Sequence, residues 1–431
     1  MALSRLDKVA TSDANAAVID RARAQAYLQK VYIFQQLLQS AEAAASQRLA
    51  HELLQKLVDA KPAGVDADKG RGNLAVSFDE LANQVKGRAP EKGREYYVDA
   101  LKLRLDLLEN PQSDFYPRHV LEHFVANSYD LLGEVELRLD NVEAARDYWR
   151  QSLEIRRRNL ALAIGDSEHN ADYRRSLAGT LALQAQLSQR QRDWPASREA
   201  LEECLTFRKA LADEDPLNVT HRLSLAGTHR ALGDTLLFMN DAPAAADHYR
   251  ESIAIVQQLV ETDGRLAFRR SLADQYYRLA AATLRASGPA AADEYFQKAL
   301  QIIDTLVAAG PPSAGLKTFW MVALARCGNH EKAAELAEEV SFTEPQDRNL
   351  FQAACGFSLC IAGVAHLKNA DQLTPDELAR QERYAARALD ALSRAVAKGY
   401  KDFTAIETDP DLDPVRGFPG FGKFLNEIKP K

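Results

Sequence analysis

His119, Glu122 and His123 have the residue types and spacing best suited to catalysis in this chain. Two imidazoles four apart fall on one side of a helix, where a zinc ion could sit between them. His-x-x-Glu-His is an order used in zinc hydrolysis. Here it opens a helix inside a long helical array, and nothing around it has the pattern of a protease. A solvated or interface helix is therefore the expected reading, and a zinc hydrolase the rival. Asp409, Asp411 and Asp413 have the one-three-five spacing of a calcium loop. The sixth place needs Gly for its turn and holds Pro414; the twelfth needs Glu and holds Gly420. Prolines and acids capping a helix account for the run. Cys355 and Cys360 stand five apart, the wrong interval for a redox pair or a zinc knuckle. No G-x-x-x-x-G-K-[ST] phosphate cradle occurs, and no serine sits on a strand-to-helix elbow. No catalytic, metal-binding or cofactor-binding residue is assigned, and the chain is expected not to be an enzyme.

The bulk properties narrow the setting. Hydrophobic residues make up 46% of the 431 and charged ones 27%, which fits a folded chain rather than a disordered one. A net charge of -7 argues against a dedicated nucleic-acid binder. The basic runs Arg156-Arg157-Arg158 and Arg174-Arg175 are interleaved with acids, as on a solvated helix face. No apolar run reaches the roughly 18 residues of a membrane span, and the opening residues lack the apolar core of a secretory signal. Four cysteines do not make a disulfide framework in so long a chain, so a reducing, cytoplasmic location is expected.

The elements that carry these residues announce themselves by repetition. A bulky residue, a small one three places on, then Leu or Ile and a further apolar residue recur five times. They are Tyr97/Ala100/Leu101/Leu103, Trp149/Ser152/Leu153/Ile155, Leu201/Cys204/Leu205/Phe207, Tyr249/Ser252/Ile253/Ile255 and Phe296/Ala299/Leu300/Ile302. The small member advances by 52, 52, 48 and 47 residues. Nineteen residues before it (eighteen in the first unit) stands another small residue: Ala82, Gly133, Ala185, Gly233 or Ala280. Seven residues earlier again lies an alanine, two helical turns away on the same face. Ala145, Ser197, Ala245 and Ala292 add a small residue at the start of the second helix. Small residues on both helices let two axes approach closely while the bulky one fills the space beside them. Turn signals separate the two helices at Asp140-Asn141, Asp193-Trp194-Pro195, Asn240 to Pro243 and Ser287-Gly288-Pro289. Weaker hairpins run from Phe319 to Val340 and from about Leu350 to Val396. Two helical stretches, Ala16 to Gln39 and Ala41 to Ala60, precede a glycine-containing break from Lys61 to Gly72.

Gly133, Ala145, Trp149 and Ser152, and equally Gly233, Ala245, Tyr249 and Ser252, match the small and aromatic places of the tetratricopeptide repeat, which the chain resembles. The usual unit has about 34 residues; the longer interval here implies extra turns on the helices. The resemblance implies an all-α, tetratricopeptide-like α-solenoid, a right-handed superhelix of antiparallel helix hairpins with elongated helices. Residues 70–400 would form the array, 1–62 an N-terminal helical cap or docking arm, and 401–431 a C-terminal capping segment. The segments Tyr173 to Ala178, His221 to Ala226, Phe268 to Ala273, Leu350 to Cys355, Ala395 to Tyr400 and Thr408 to Pro414 are similar to the long-repeat regions that follow the kinase domain in planctomycete serine/threonine protein kinases. The chain has no glycine-rich loop, His-Arg-Asp loop or Asp-Phe-Gly, so the kinase domain itself is missing from it.

In tetratricopeptide arrays the first helix of each hairpin lines a concave groove. Counting from the small residue, the resemblance places Asp79, Asn83, Lys86, Asn127, Asp130, Glu134, Arg138, Gln186, Arg190, Arg230, Asp234, Asp274, Tyr277 and Arg285 there. Their mixed charge suits a polar extended peptide or a helix of a protein partner, with Tyr277 and Arg230 as the expected anchors. Asp79 and Asp130 stand where the family's carboxylate clamp wants a lysine. The function implied is a non-catalytic scaffold or sensor module, with a self-associating scaffold as the alternative.

Overall fold

The computed structural model describes residues 13–37, 39–163, 167–343 and 346–428. Among them there is no β-strand. The chain divides into two compact units, residues 1–211 and 212–431, and the division falls within one helix. The first unit holds α1 (Asp13–Gln36), α2 (Ser40–Asp59), α3 (Val65–Val85), α4 (Pro90–Glu109), α5 (Arg118–Arg138), α6 (Val142–Leu162), α7 (Ser167–Arg190) and most of α8 (Trp194–Glu214). The second holds α9 (Val219–Phe238), α10 (Ala242–Asp263), α11 (Leu266–Ser287), α12 (Pro289–Ala308), α13 (Ala314–Arg326), α14 (His330–Thr343), α15 (Asp347–Val364) and α16 (Pro375–Ala397). Three short helices follow: α17 (Phe403–Thr408), α18 (Asp413–Arg416) and α19 (Pro419–Ile428).

Consecutive helices pack as antiparallel pairs, the arrangement of a tetratricopeptide-like solenoid. The side-chain bonds show the direction: Tyr97 reaches back to Asn83 while Arg104, further along α4, reaches the earlier Asp79. The same crossing recurs between α9 and α10, where Tyr249 meets Asp234 and Ser252 meets Ala226. The small residues do what their spacing predicts. Ala82, Gly133, Ala185, Gly233 and Ala280 are buried, as are Ala100, Ser152, Cys204, Ser252 and Ala299. A Cβ placed on Gly233 would lie 2.6 Å from the Tyr249 ring, and one on Gly133 would come closer still to Trp149. Bulk at either place would push the helices apart.

One turn design closes several hairpins. Asp140, Arg192 and Asn240 take positive φ of 64°, 60° and 62°, and Gly328 does the same at 78°. The next residue then sends its N–H back to a carbonyl five residues earlier: Asn141 to Glu136, Asp193 to Ser188, Asp241 to Leu236 and Asn329 to Leu324. This bond satisfies a carbonyl that the helix end would otherwise leave open. Asp241 then caps α10 through the Ala244 N–H, with Pro243 in the first turn, where its missing N–H costs nothing.

The break expected from Lys61 to Gly72 is shorter than that. Helix α3 begins at Val65, so Gly70 and Gly72 lie inside it. Gly72 is there for closeness: a Cβ would lie 2.6 Å from the Tyr116 hydroxyl, in the loop that crosses α3. The buried Asp68 carboxylate holds that loop, accepting from the Gln112 N–H, the Ser113 hydroxyl and Arg71. These bonds keep its pKa low despite burial, which alone would raise it. In the second unit one core runs from Ala273 to Phe424 and takes in Ile406, Leu412, Val415 and Phe421 of the last segment.

Candidate functional site

All the residues expected to line a groove sit on first helices except Lys86, which directly follows α3. The first-helix face is laced from within by arginines. In the first unit Arg104, on α4, donates to Asp79 at 2.5 Å and to Ser128 on α5 at 2.6 Å. One repeat on, Arg156 donates to Asp130 at 2.6 Å and Asn127 at 2.7 Å. The Thr180 hydroxyl on α7 donates to the same Asp130 carboxylate at 2.9 Å. Each arginine is buried and ties its own hairpin to itself, and the network reaches the first helix of the next. Burial pushes the Asp79 carboxyl up, against the pull of Arg104.

A second set of bonds fixes three of the five bulky signature residues. The Tyr97 hydroxyl donates to Asn83 at 2.8 Å and the Tyr249 hydroxyl to Asp234 at 2.7 Å. Trp149 donates from its indole N–H to the Asp130 carbonyl at 3.2 Å. A buried ring with a polar tip needs such a partner. Asp234 also accepts from Arg278 at 2.6 Å and Arg230 at 3.2 Å, and Asp274 holds Arg278 from the other side at 2.8 Å. Lys86 pairs with Glu134 at 3.7 Å, Arg190 with Asp140 at 2.6 Å, and Arg285 meets the Leu237 carbonyl at 3.4 Å.

A family model of the tetratricopeptide repeat matches residues 125–162. The match takes in Gly133, Ala145, Trp149 and Ser152, the close-packed places of α5 and α6. No curated protein matches the chain. Among solved structures, BtubC from P. vanneervenii is 17% identical over 62% of this chain and 92% of its own, with a TM-score of 0.47. A signal-transduction ATPase with a tetratricopeptide repeat sensor from Pyrococcus horikoshii is 16% identical, covering 88% of this chain and 55% of its own, at 0.48. The apo quorum sensor NprR from B. thuringiensis is 12% identical over 90% of each chain, at 0.45. Overlaps this loose say nothing of what the chain binds.

Within the tetratricopeptide match and beside it, the arginines are what sequence reasoning missed: Arg156, expected on a solvated face, is buried against Asn127 and Asp130. Arg104 and Arg156 each stand four residues after the small member of the second helix, and Arg208 repeats that 52-residue interval. A charged residue one turn beyond a small one (Ala100, Ser152, Cys204), at fixed period, was the available signal. The partner of the aromatic tip was also legible. The place after the small residue is polar where the bulky residue is Tyr (Asn83, Asp234), and Ala281 where it is Phe296.

The two expected anchors differ from an open anchor. Arg230 is tied to Asp234, and Tyr277 is half-buried, packed edge-on to Phe296 at 5.4 Å and Phe319 at 5.7 Å. Removing the Tyr277 ring would therefore cost stability. Arg138, Gln186 and Asn83 stand exposed.

His119 and His123 do face one way, but onto the ring of Tyr173, with centroids 6.5 and 6.4 Å away. Glu122 is buried and ion-paired at 3.1 Å to both Arg118 and Arg158. Burial and then Arg156 push the His123 pKa down to about 4. Among the described residues no three His, Cys, Asp or Glu side chains converge as metal ligands. Asp409 accepts from the Asp411 N–H, Asp411 pairs with Arg326, and Asp413 with Arg416. No helix of the described residues is long and apolar enough to cross a membrane.

Proposed function

We propose that this chain is a non-catalytic binding module whose first-helix face takes a polar segment of a protein partner. The observation that carries the reading is the pinned face of the first unit. Buried Arg104 and Arg156 fix Asp79, Asn127 and Asp130, so the neighbouring exposed side chains stand on a preorganised surface. The pinned residues beneath have little ordering entropy left to lose on binding. Arg138 and Gln186 are the contacts to test, because they are exposed on that face. The immobilised chain should capture its partner from native cell extract. Replacing both residues by Ala should weaken capture several-fold, while stability stays within about 0.5 kcal/mol of the parent. Undiminished capture by the double variant would overturn the assignment of the face.

The finer reading makes this the regulatory part of a bacterial signalling kinase system, acting in the cytoplasm. It is supported by the similarity of Tyr173 to Ala178, Phe268 to Ala273 and Thr408 to Pro414 to the regions that follow such kinases. A self-associating scaffold is the second reading. Val18, Tyr32, Ile33 and Leu37 on and just after α1 are more than half exposed, which is unusual for so many large apolar groups on one helix. Light scattering decides it: a monomer at micromolar concentration removes that reading.

A further inference from the structure

The end of the chain behaves like a peptide laid on the first-helix face of the second unit. After α16 the chain reverses at Gly399, and Tyr400 stacks on Phe351 of α15 with centroids 4.5 Å apart. A single 3-10 turn, Pro410–Leu412, and α18 then pack on α15, the first helix of its pair. Leu412 and Val415 are fully buried, and the Val415 N–H donates to the buried Ser358 hydroxyl at 3.2 Å. From the same turn Asp411 reaches past α15 to α13, where its carboxylate accepts from Arg326 at 2.7 Å. The Arg326 guanidinium also lies 5.8 Å from the centroid of the Phe296 ring. One acidic side chain and two aliphatic ones thus engage two successive first helices, α13 and α15.

The turn is also held by bonds within its own segment. The Asp409 carboxylate accepts from the Asp411 N–H at 2.9 Å, and Arg416 donates to the carbonyls of Asp409 at 2.8 Å and Ile406 at 3.3 Å. Pro410 and Pro414 restrict the backbone on either side. Such internal restraints lower the entropy lost on seating, as in a good peptide ligand. Arg326 is mostly buried, so its charge needs this carboxylate or another in its place.

We propose that residues 409–416 are an internal ligand of the second unit, and that Arg326 of α13 with the Ser358 face of α15 forms a receptor for an aspartate followed by an aliphatic residue. The chain's own Asp411-Leu412 fills the receptor. A peptide of the same chemistry gains access when that segment lifts. This deepens the proposed binding role of the first-helix face and names the ligand chemistry of its second unit.

The test uses the full chain and a fluorescent peptide with the sequence of residues 404–418. In the Asp411→Ala chain, amides of residues 402–416 should exchange at least about tenfold faster, the factor expected for a lost charge-assisted hydrogen bond. That chain should bind the peptide, and the parent should not. An Arg326→Gln chain should show the same faster exchange yet bind no peptide. A peptide with Asn in place of the aspartate that precedes its one leucine should bind at least about tenfold more weakly. Unchanged exchange in Asp411→Ala, or faster exchange without peptide binding, overturns the proposal. So does global loss of helicity in that variant, which would make the segment part of the folded core rather than a ligand. No outside partner enters this experiment. Failed capture by the first unit and failed peptide binding here are therefore separate results.

Discussion

Three small polar groups occupy one place in three hairpins and make one bond. Ser152, Cys204 and Ser252 donate to the carbonyls of Ala126, Ala178 and Ala226 at 3.2, 3.2 and 2.9 Å. Each carbonyl lies within a helix, so losing the side-chain donor leaves no bare acceptor. Ser252→Ala should therefore cost only about 0.5–1.5 kcal/mol, measured as a shift in the urea midpoint. A loss above about 3 kcal/mol would mean that the hydroxyl does more than bridge. His123 has a different signature. Its imidazole, held neutral by burial and by Arg156, has a pKa of about 4, against roughly 6.5 in an unfolded chain. Between those values the unfolded chain takes up a proton that the folded one refuses, so stability falls as pH drops through that window. His51 and His330, also lowered by burial, act in the same direction. His123→Phe should flatten the dependence of the urea midpoint between pH 7 and pH 5. An equally steep dependence in the variant would relocate the effect.

At the scale of the element, the glycines separate two jobs. Gly133 and Gly233 meet a ring at once if given a Cβ, whereas Gly179 and Gly227 have nothing within 4 Å. All four lie inside helices. Gly233→Ala should thus cost about 1–3 kcal/mol through forced repacking, while Gly179→Ala and Gly227→Ala should gain up to about 1 kcal/mol from a stiffer unfolded chain. Differential scanning calorimetry of the three variants checks the signs, and a stabilising Gly233→Ala would refute the close-packing argument. This contrast also marks what the sequence could tell. Gly133 and Gly233 were legible because their period matched the rings of Trp149 and Tyr249. The long helix over Gly70 and Gly72 was not, because the loop contact that explains Gly72 joins residues far apart in sequence. The face positions were legible as positions only. That Asp79 and Asp130 serve buried arginines depends on three-dimensional reach, which a count from the small residue does not contain.

At the scale of the whole molecule, a repeat array has few contacts between distant residues, and its stability is close to a sum of neighbouring terms. Damage should then stay near its origin. Trp149 is fully buried, fills the space beside Gly133 and donates to the Asp130 carbonyl. Trp149→Ala should cost about 3–5 kcal/mol. In such an array the loss is shared with nearest neighbours, so exchange should quicken over residues 118–162 and in the adjoining α4 and α7. The core from Ala273 to Phe424 shares no residue with the hairpin that holds Trp149. Amides of α15 and α16 should keep their parental rates. Hydrogen exchange read by mass spectrometry compares the two regions within one sample, which removes differences in total stability between preparations. Equal acceleration in α6 and α16 would show that the chain opens as one block. The additive account of its stability would then have to be abandoned, even with every hairpin in place.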